Sequence, residues 1–357
     1  MRDRSQCDIE FPRRWPHRLA MLLAGVVFPL IWVGGLVTTY DAGMAVPDWP
    51  GTYGYNMFLY PLETWLTGPF DLLVEHGHRL LGSTAGIISI ALVAAAFVWE
   101  PRKAVRWLAA GLLVLVIMQG ILGGMRVRND DRMLAKIHGC VGAAFFASVV
   151  GYCVITSRWW WRQRLMNLNN RQLVRRTNRL TQLALLMLVL SYCQLVLGAF
   201  LRHIAVDASP THYKILVIAH VVGAVLLVLG TFTQWVVTGL SRARTSGIRP
   251  SIHVLMLLVL MQFLLGLGTW VVKFGWPVWF ENQSYAAAFV IGEKSYVQMH
   301  LITAHVAVGS LILGTWVVHF LRCHQALDQG TWWSAWSLND APAAAISAQD
   351  SKSLRPI

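Results

Sequence analysis

Charge is scarce in this chain. Only 13% of its 357 residues are Asp, Glu, Lys or Arg, where a soluble domain carries about 25%. With 56% hydrophobic residues, that deficit excludes an ordinary water-soluble enzyme. Cysteine is sparse and unpatterned. Cys7, Cys140, Cys153, Cys193 and Cys323 show no CxxC or CxxCH spacing, which excludes covalent c-type haem attachment. None of the five falls in a predicted outer loop, so no structural disulfide is expected there, and those inside apolar spans read as small hydrophobes. A small-residue cleavage site is also missing before Asp41, and further spans follow, so the first apolar run is not a cleavable signal peptide.

What is abundant is apolar sequence. Eight stretches can be marked, at 19–38, 80–99, 105–124, 134–157, 180–200, 215–238, 252–273 and 297–321. Each is about 20 residues long, enough for a helix to cross a bilayer. The expectation is an all-α, multi-pass membrane protein with eight transmembrane helices. The net charge of +13 could point to nucleic acid, but its distribution argues otherwise. The segments expected inside hold 21 of the 30 Lys and Arg, the asymmetry of the positive-inside rule. That places both termini in the cytoplasm and makes the cell (inner) membrane the partner of the basic excess, with no nucleic acid. Trp159–Trp161, flanked by Arg158 and Arg162, reads as an interfacial anchor.

The spans repeat. "MQGILGGMRV", "CQLVLGAFLR" and "MQFLLGLGTW" each carry a Gln and, four residues on, a Gly near the outer end: Gln119/Gly123, Gln194/Gly198 and Gln262/Gly266. "IWVGGLV" is a weaker version around Gly34 and Gly35. These Gly read as points of close helix approach, and the Gln as packing devices able to hydrogen-bond across them. Each even span carries a histidine near its outer end: His78, His138, His220 and His305. The organisation expected is a cytoplasmic N-terminus (1–18), a first four-helix bundle (19–157), a cytoplasmic linker (158–177), a second four-helix bundle (178–322) and a cytoplasmic, disordered tail (323–357).

An ionisable group inside a membrane helix is a functional hypothesis by default. Four histidines at matching repeat positions fit two haem irons, each held from both sides by facing helices. Zinc is disfavoured because no carboxylate or thiolate cluster accompanies them. Haem propionates would need cations at the outer surface. Arg79, Arg126, Arg128, Arg132 and Lys136 in the first half, with Arg202, Lys214 and Lys294 in the second, could supply them; pairing with Asp130, Asp131, Asp207 and Glu293 is the competing reading. In "EHGHR", read as the start of a helix, Glu75 lies about 60° from His78 and about 40° from Arg79, on one face. His76 is about 160° from His78 and cannot share its ligand. A carboxylate there could orient the ligating histidine or act as a base. No Glu precedes the other three histidines, which points to chemistry in the first half and a helper cofactor in the second.

These residues resemble the haem A synthase family. The loop "GGLVTTYDAGMAVPDWPGTYGYNMFLYP", with its Pro47–Pro50 core, is similar to that family's first outer loop; "EHGHR" looks like its Glu-x-x-His-Arg motif, and "AKIHG" matches its helix-four histidine. The likeness covers about residues 19–322. It implies oxidation of the C8 methyl of haem O to a formyl group by successive hydroxylations, giving haem A for cytochrome c oxidase. The incoming oxygen would come from water, and electrons would leave through the enzyme to an unidentified acceptor. It further implies that His78, His138 and Arg79 bind the substrate haem, that His220 and His305 are axial ligands of a haem b cofactor, and that Glu75 is the catalytic carboxylate. Haem O synthase and cytochrome oxidase assembly factors are the partners implied.

The chain also departs from the family. The outer-loop cysteine pairs of many members are missing, and "AHVVG" lacks an Arg after its histidine. His300, six residues after Lys294, rivals His305, which has the better sequence match. The alternative readings are a di-haem b electron carrier linked to quinone, which would not require Glu75, and a haem-binding assembly or transport protein without chemistry of its own.

Overall fold

The computed structural model describes residues 14–168, 178–204, 207–240, 247–276 and 289–327. Eight long helices match the eight expected spans: α1 (Trp15–Thr39), α3 (Phe70–Trp99), α4 (Lys103–Asn129), α5 (Arg132–Ile155), α7 (Asn178–Arg202), α8 (Pro210–Leu240), α9 (Ile248–Phe274) and α10 (Tyr296–Leu327). All eight are long and apolar enough to cross a membrane. Two short helices join them: α2 (Leu62–Thr67) in the first loop and α6 (Arg158–Leu168) in the basic linker. Among the described residues no strand forms beyond an isolated bridge between Thr52 and Tyr55.

Most helices run past the apolar stretches that predict them. The largest difference is α3, which begins at Phe70 behind Pro69, with Asp71 in its first turn. "EHGHR" therefore lies inside a helix and not at its start. Pro preset at the N-cap and an acid beside the positive end of the helix dipole account for that beginning. Hydropathy misses these nearly three turns because the Glu75, His76 and Arg79 side chains are satisfied by the preceding loop instead of by water. Similarly, α5 starts at its Asp131 cap, whose carboxylate accepts the amides of Met133 at 2.6 Å and Leu134 at 3.3 Å, as N-caps do. The linker expected over 158–177 contains α6; 169–177, the tail from 328 and Cys7 lie outside the described residues.

In the first half, α1 packs against α3 and α5, α3 against α4, and α4 against α5. In the second, α7 packs against α8 and α10, and α9 against both α8 and α10. Leu23, Leu92, Phe145, Phe146 and Tyr152 fill the first interior; Met187, Ile252, Leu255 and Trp316 fill the second. Helix α10 joins the halves by packing on α1 and α5. Gly314 allows the close approach there, since a Cβ on it would lie 3.2 Å from Cε1 of Phe146. At the predicted inner end, Arg102 pairs with Glu100 at 2.7 Å and donates to the last carbonyl of α5, Ile155, at 3.2 Å. Its guanidinium sits 4.5 Å from the Trp161 ring, which ties the aromatic anchor to the bundle.

Candidate functional site

The four repeat histidines meet in two pairs. His78 on α3 faces His138 on α5 with ring centroids 6.3 Å apart and planes at 76°. His220 on α8 faces His305 on α10 with centroids 6.3 Å apart and planes at 66°. The rival His300 is stacked on Tyr296 at 4.1 Å, beside Trp32, so His305 is the one opposite His220.

Each ring rests on a glycine of the long helix that precedes its own. A Cβ at Gly34 would lie 2.7 Å from Cε1 of His78, and one at Gly123 would lie 3.1 Å from Cε1 of His138. At Gly198 and Gly266 it would meet Cε1 of His220 and His305, both at 3.3 Å. In three of the four pairs a Gln reaches back. Gln119 Nε2 donates to the carbonyl of His138 at 3.0 Å. Gln194 Nε2 lies 2.6 Å from the carbonyl of His220 and 3.1 Å from its Nδ1. Gln262 Nε2 is 3.4 Å from His305 Nε2. Gly142, Gly223 and Gly309, one turn after the histidines, leave the space these amides occupy. In the fourth pair Leu30 stands where the Gln would be.

This geometry bears on what the pairs can hold. Two imidazoles bound to one metal at about 2 Å per bond have centroids roughly 6 Å apart, which is the spacing of both pairs. Among the described residues no group of three or more His, Cys, Asp or Glu could hold a metal ion. Two neutral imidazoles per site suit an iron whose other four ligands come from a porphyrin, and they do not complete a zinc shell. The rings of His78, His138 and His305 are buried; the backbone groups of Leu30, Gln119 and Gln262 approach them without a well-aligned bond to Nδ1. The donor set thus fits haem in both sites.

Around the first pair the chain builds a polar cap. Glu75 is only 3% exposed. Its Oε2 accepts the amide of Val46 at 2.8 Å, and its Oε1 pairs with Arg79 at 2.9 Å. Arg79 also donates to the carbonyls of Val46 at 2.5 Å, Asp48 at 2.6 Å and Gly51 at 2.8 Å. Its two terminal nitrogens are therefore committed to the Pro47–Pro50 loop and to Glu75. His76, turned away from His78, has Nδ1 3.0 Å from the Thr52 hydroxyl and lies between Tyr60 and Trp65, each 5.2 Å away. It fastens the loop. Trp49, which precedes a cis proline, covers Gly124, one residue after the seat of His138. Burial alone would push the Asp48 carboxyl up, but the amides of Gly54 and Tyr53 and the Arg79 guanidinium hold it below the usual carboxylate range.

Cations gather beside this cap. Arg126, three residues past Gly123, fills the space left by Gly43 and acts electrostatically on Glu75, His78 and His138. Lys136 extends over the Phe200 ring of α7 at 4.9 Å. Among the described residues Asp130, Asp131, Asp207 and Glu293 form no direct ion pair with these cations, while Asp130 acts electrostatically on Arg126. His203, just past α7, is held down to about 4 by burial first and then by Arg202, Arg126, Lys136 and Arg132.

A profile of the COX15-CtaA family, described as cytochrome oxidase assembly protein, matches residues 17–209, more than half of the chain. The chain belongs to this family. The match spans α1 to α7, and so includes the loop, "EHGHR", the first histidine pair and the linker. Among curated proteins, none matches the chain. Membership of the haem A synthase family assigns the protein to cytochrome oxidase assembly and haem A biosynthesis. The second histidine pair lies beyond the matched region, and its likeness to the first rests on geometry.

Two features escape a reading of sequence. The Gln and Gly of the repeat are expected at contacts between helices, but the sequence does not show that their partners there are the histidines of the next helix. Arg202 is visible only as an outer cation, yet its Nη2 donates to the carbonyl of Gly35 and to Thr39 Oγ1, both at 2.6 Å and both on α1.

Proposed function

We propose that the protein is a haem A synthase, which oxidises the C8 methyl of haem O to a formyl group by successive hydroxylations. The reading is carried by Glu75, a buried carboxylate one helical turn before His78. The corresponding positions before His138, His220 and His305 hold Ala135, Val217 and Ile302. Among the described residues, one histidine pair has an acid one turn before a member, and the other does not.

In this reading His78 and His138 would hold the substrate haem, and His220 and His305 would hold a haem b. That haem, when bound, supplies one-electron redox chemistry. Glu75 takes protons. Each hydroxylation adds an oxygen from water and releases two electrons and two protons, and a carboxylate held in place by Val46 and Arg79 serves as the base. Two fixed donors keep it aimed while leaving each oxygen a further lone pair. Arg79 holds the loop and orients Glu75, and Arg126 is a cation beside the cap that could pair with a propionate. The cap of Trp49 and the Pro47–Pro50 loop keeps bulk water from the reacting methyl. The orientation that the charge asymmetry predicts puts this cap on the outer side of the cell membrane.

Co-expression with a source of haem O, followed by extraction and mass spectrometry, tests the proposal. Haem A or its alcohol intermediate supports it. Unchanged haem O beside a normal b-type spectrum would mean an electron carrier instead.

A further inference from the structure

Arg202 ends α7 one helical turn past Gly198, the seat of His220. Its two hydrogen bonds are not to the second half but to α1 of the first, at Gly35 and Thr39, both 2.6 Å. Gly35 follows Gly34, on which His78 rests. A Cβ at Gly35 would lie 2.7 Å from Cγ2 of Thr303, whose hydroxyl is 3.4 Å from that of Thr39. Thr303 is fully buried and lies two residues before His305. Arg202 thus sits in a polar seam that touches the surroundings of both histidine pairs. Among the described residues no carboxylate forms an ion pair with it, and its charge acts on His305.

Holding a cation among neutral partners costs desolvation energy that hydrogen bonds to a carbonyl and a hydroxyl return only in part. Such a charge is informative about what it faces. Uptake of one electron by a ferric haem lowers the net charge at the iron by one, and a fixed cation nearby favours the reduced state. Arg suits this task better than Lys because its charge is permanent and its planar fork can be anchored by two bonds at once.

We propose that Arg202 sets the redox poise of the second site, raising the potential of the haem held there by His220 and His305. The proposal rests on the reading of His220 and His305 as axial ligands. It does not depend on whether haem O is the substrate. Arg202 acts here as a positioning charge and not as a catalytic residue.

The test is a spectroelectrochemical titration of the low-spin haem in the purified full chain, with no haem O added. Arg202→Gln should lower the midpoint by the equivalent of roughly tenfold in the one-electron equilibrium constant, with the low-spin spectrum intact. Arg202→Lys should stay close to wild type. Thr39→Asp places a carboxylate beside the guanidinium and should lower the midpoint with Arg202 still present. If Arg202→Gln and Thr39→Asp both keep the wild-type midpoint and spectrum, the proposal is overturned. Should Arg202→Gln fail to assemble, an unchanged midpoint in Thr39→Asp overturns it alone. A His305→Ala variant that keeps a full low-spin spectrum would refute the ligand reading instead.

Discussion

Gly34 and His78 are packed so closely that a methyl group on the glycine would lie 2.7 Å from Cε1 of the imidazole. Real Cβ atoms essentially never come that near a carbon, so the ring could not stay where it is. The other three histidines rest on Gly123, Gly198 and Gly266 with slightly more room, at 3.1, 3.3 and 3.3 Å. Four helix pairs therefore use one device, in which the missing side chain on one helix fixes where the imidazole of the next can stand. Close helix approach at glycine is familiar in membranes; here it also sets the position of a candidate metal ligand.

Gly34→Ala is expected to be the most damaging of the four alanine substitutions. Overpacking costs about 1–3 kcal/mol, and in this case it would be spent on moving His78. The first site should lose haem while the second keeps its own. Gly198→Ala and Gly266→Ala should perturb the second site more mildly, as a shifted spectrum and not a lost one. Haem content and the optical spectrum of each purified variant check this, and equal effects at all four positions would sink it.

Glu75 separates a structural role from a chemical one. Glu75→Gln keeps an acceptor for the Val46 amide and fills the same volume, so the fold and both haem spectra should persist. Product formation should fall by about 10²–10⁴, the range for loss of a positioned proton acceptor. Glu75→Ala would in addition leave Arg79 and the Val46 amide without that partner, costing about 1–3 kcal/mol more. A Gln variant that turns over normally would remove Glu75 from the chemistry.

Arg79 holds three loop carbonyls and one carboxylate with two nitrogens. A lysine has the charge but not the fork. Arg79→Lys should therefore release the loop while leaving the transmembrane helices intact. Tyr53 and Tyr55 are already exposed and offer cleavage points, so limited chymotrypsin digestion should cut the variant near them severalfold faster than wild type. An unchanged digestion rate would mean that Thr52 and His76 hold the loop without Arg79.

The helices were legible in the sequence because lipid imposes a local rule, a run of apolar residues of fixed length. The histidines were legible because an ionisable group breaks that rule. Loop-dependent features were not. Helix α3 starts ten residues before its apolar run because Glu75 and Arg79 bond to Val46, Asp48 and Gly51, contacts about thirty residues apart in sequence that no periodicity reveals. Helix α6 is not legible because its Trp- and Arg-rich sequence lacks an apolar run of membrane length. Which of His300 and His305 stands opposite His220 turns on how α10 is rotated where it packs on α7 and α9. Spacing along one helix does not contain that information.

His203 provides a stability test that needs no substrate. Burial and the cations Arg202, Arg126, Lys136 and Arg132 hold its folded-state value down to about 4, below the ordinary histidine value of 6.5 that the unfolded chain has. Between those values the unfolded chain binds more protons than the folded one, so stability rises with pH across the window. The protein should be at full stability above pH 6.5 and lose stability as the pH falls from there towards 4, with no further loss from this group below that. His203→Gln should flatten the slope while keeping an uncharged polar side chain of similar size. Thermal unfolding in detergent at a series of pH values between 4 and 7.5 measures it directly. A variant whose melting temperature falls with acid as steeply as wild type would show that the slope comes from other groups.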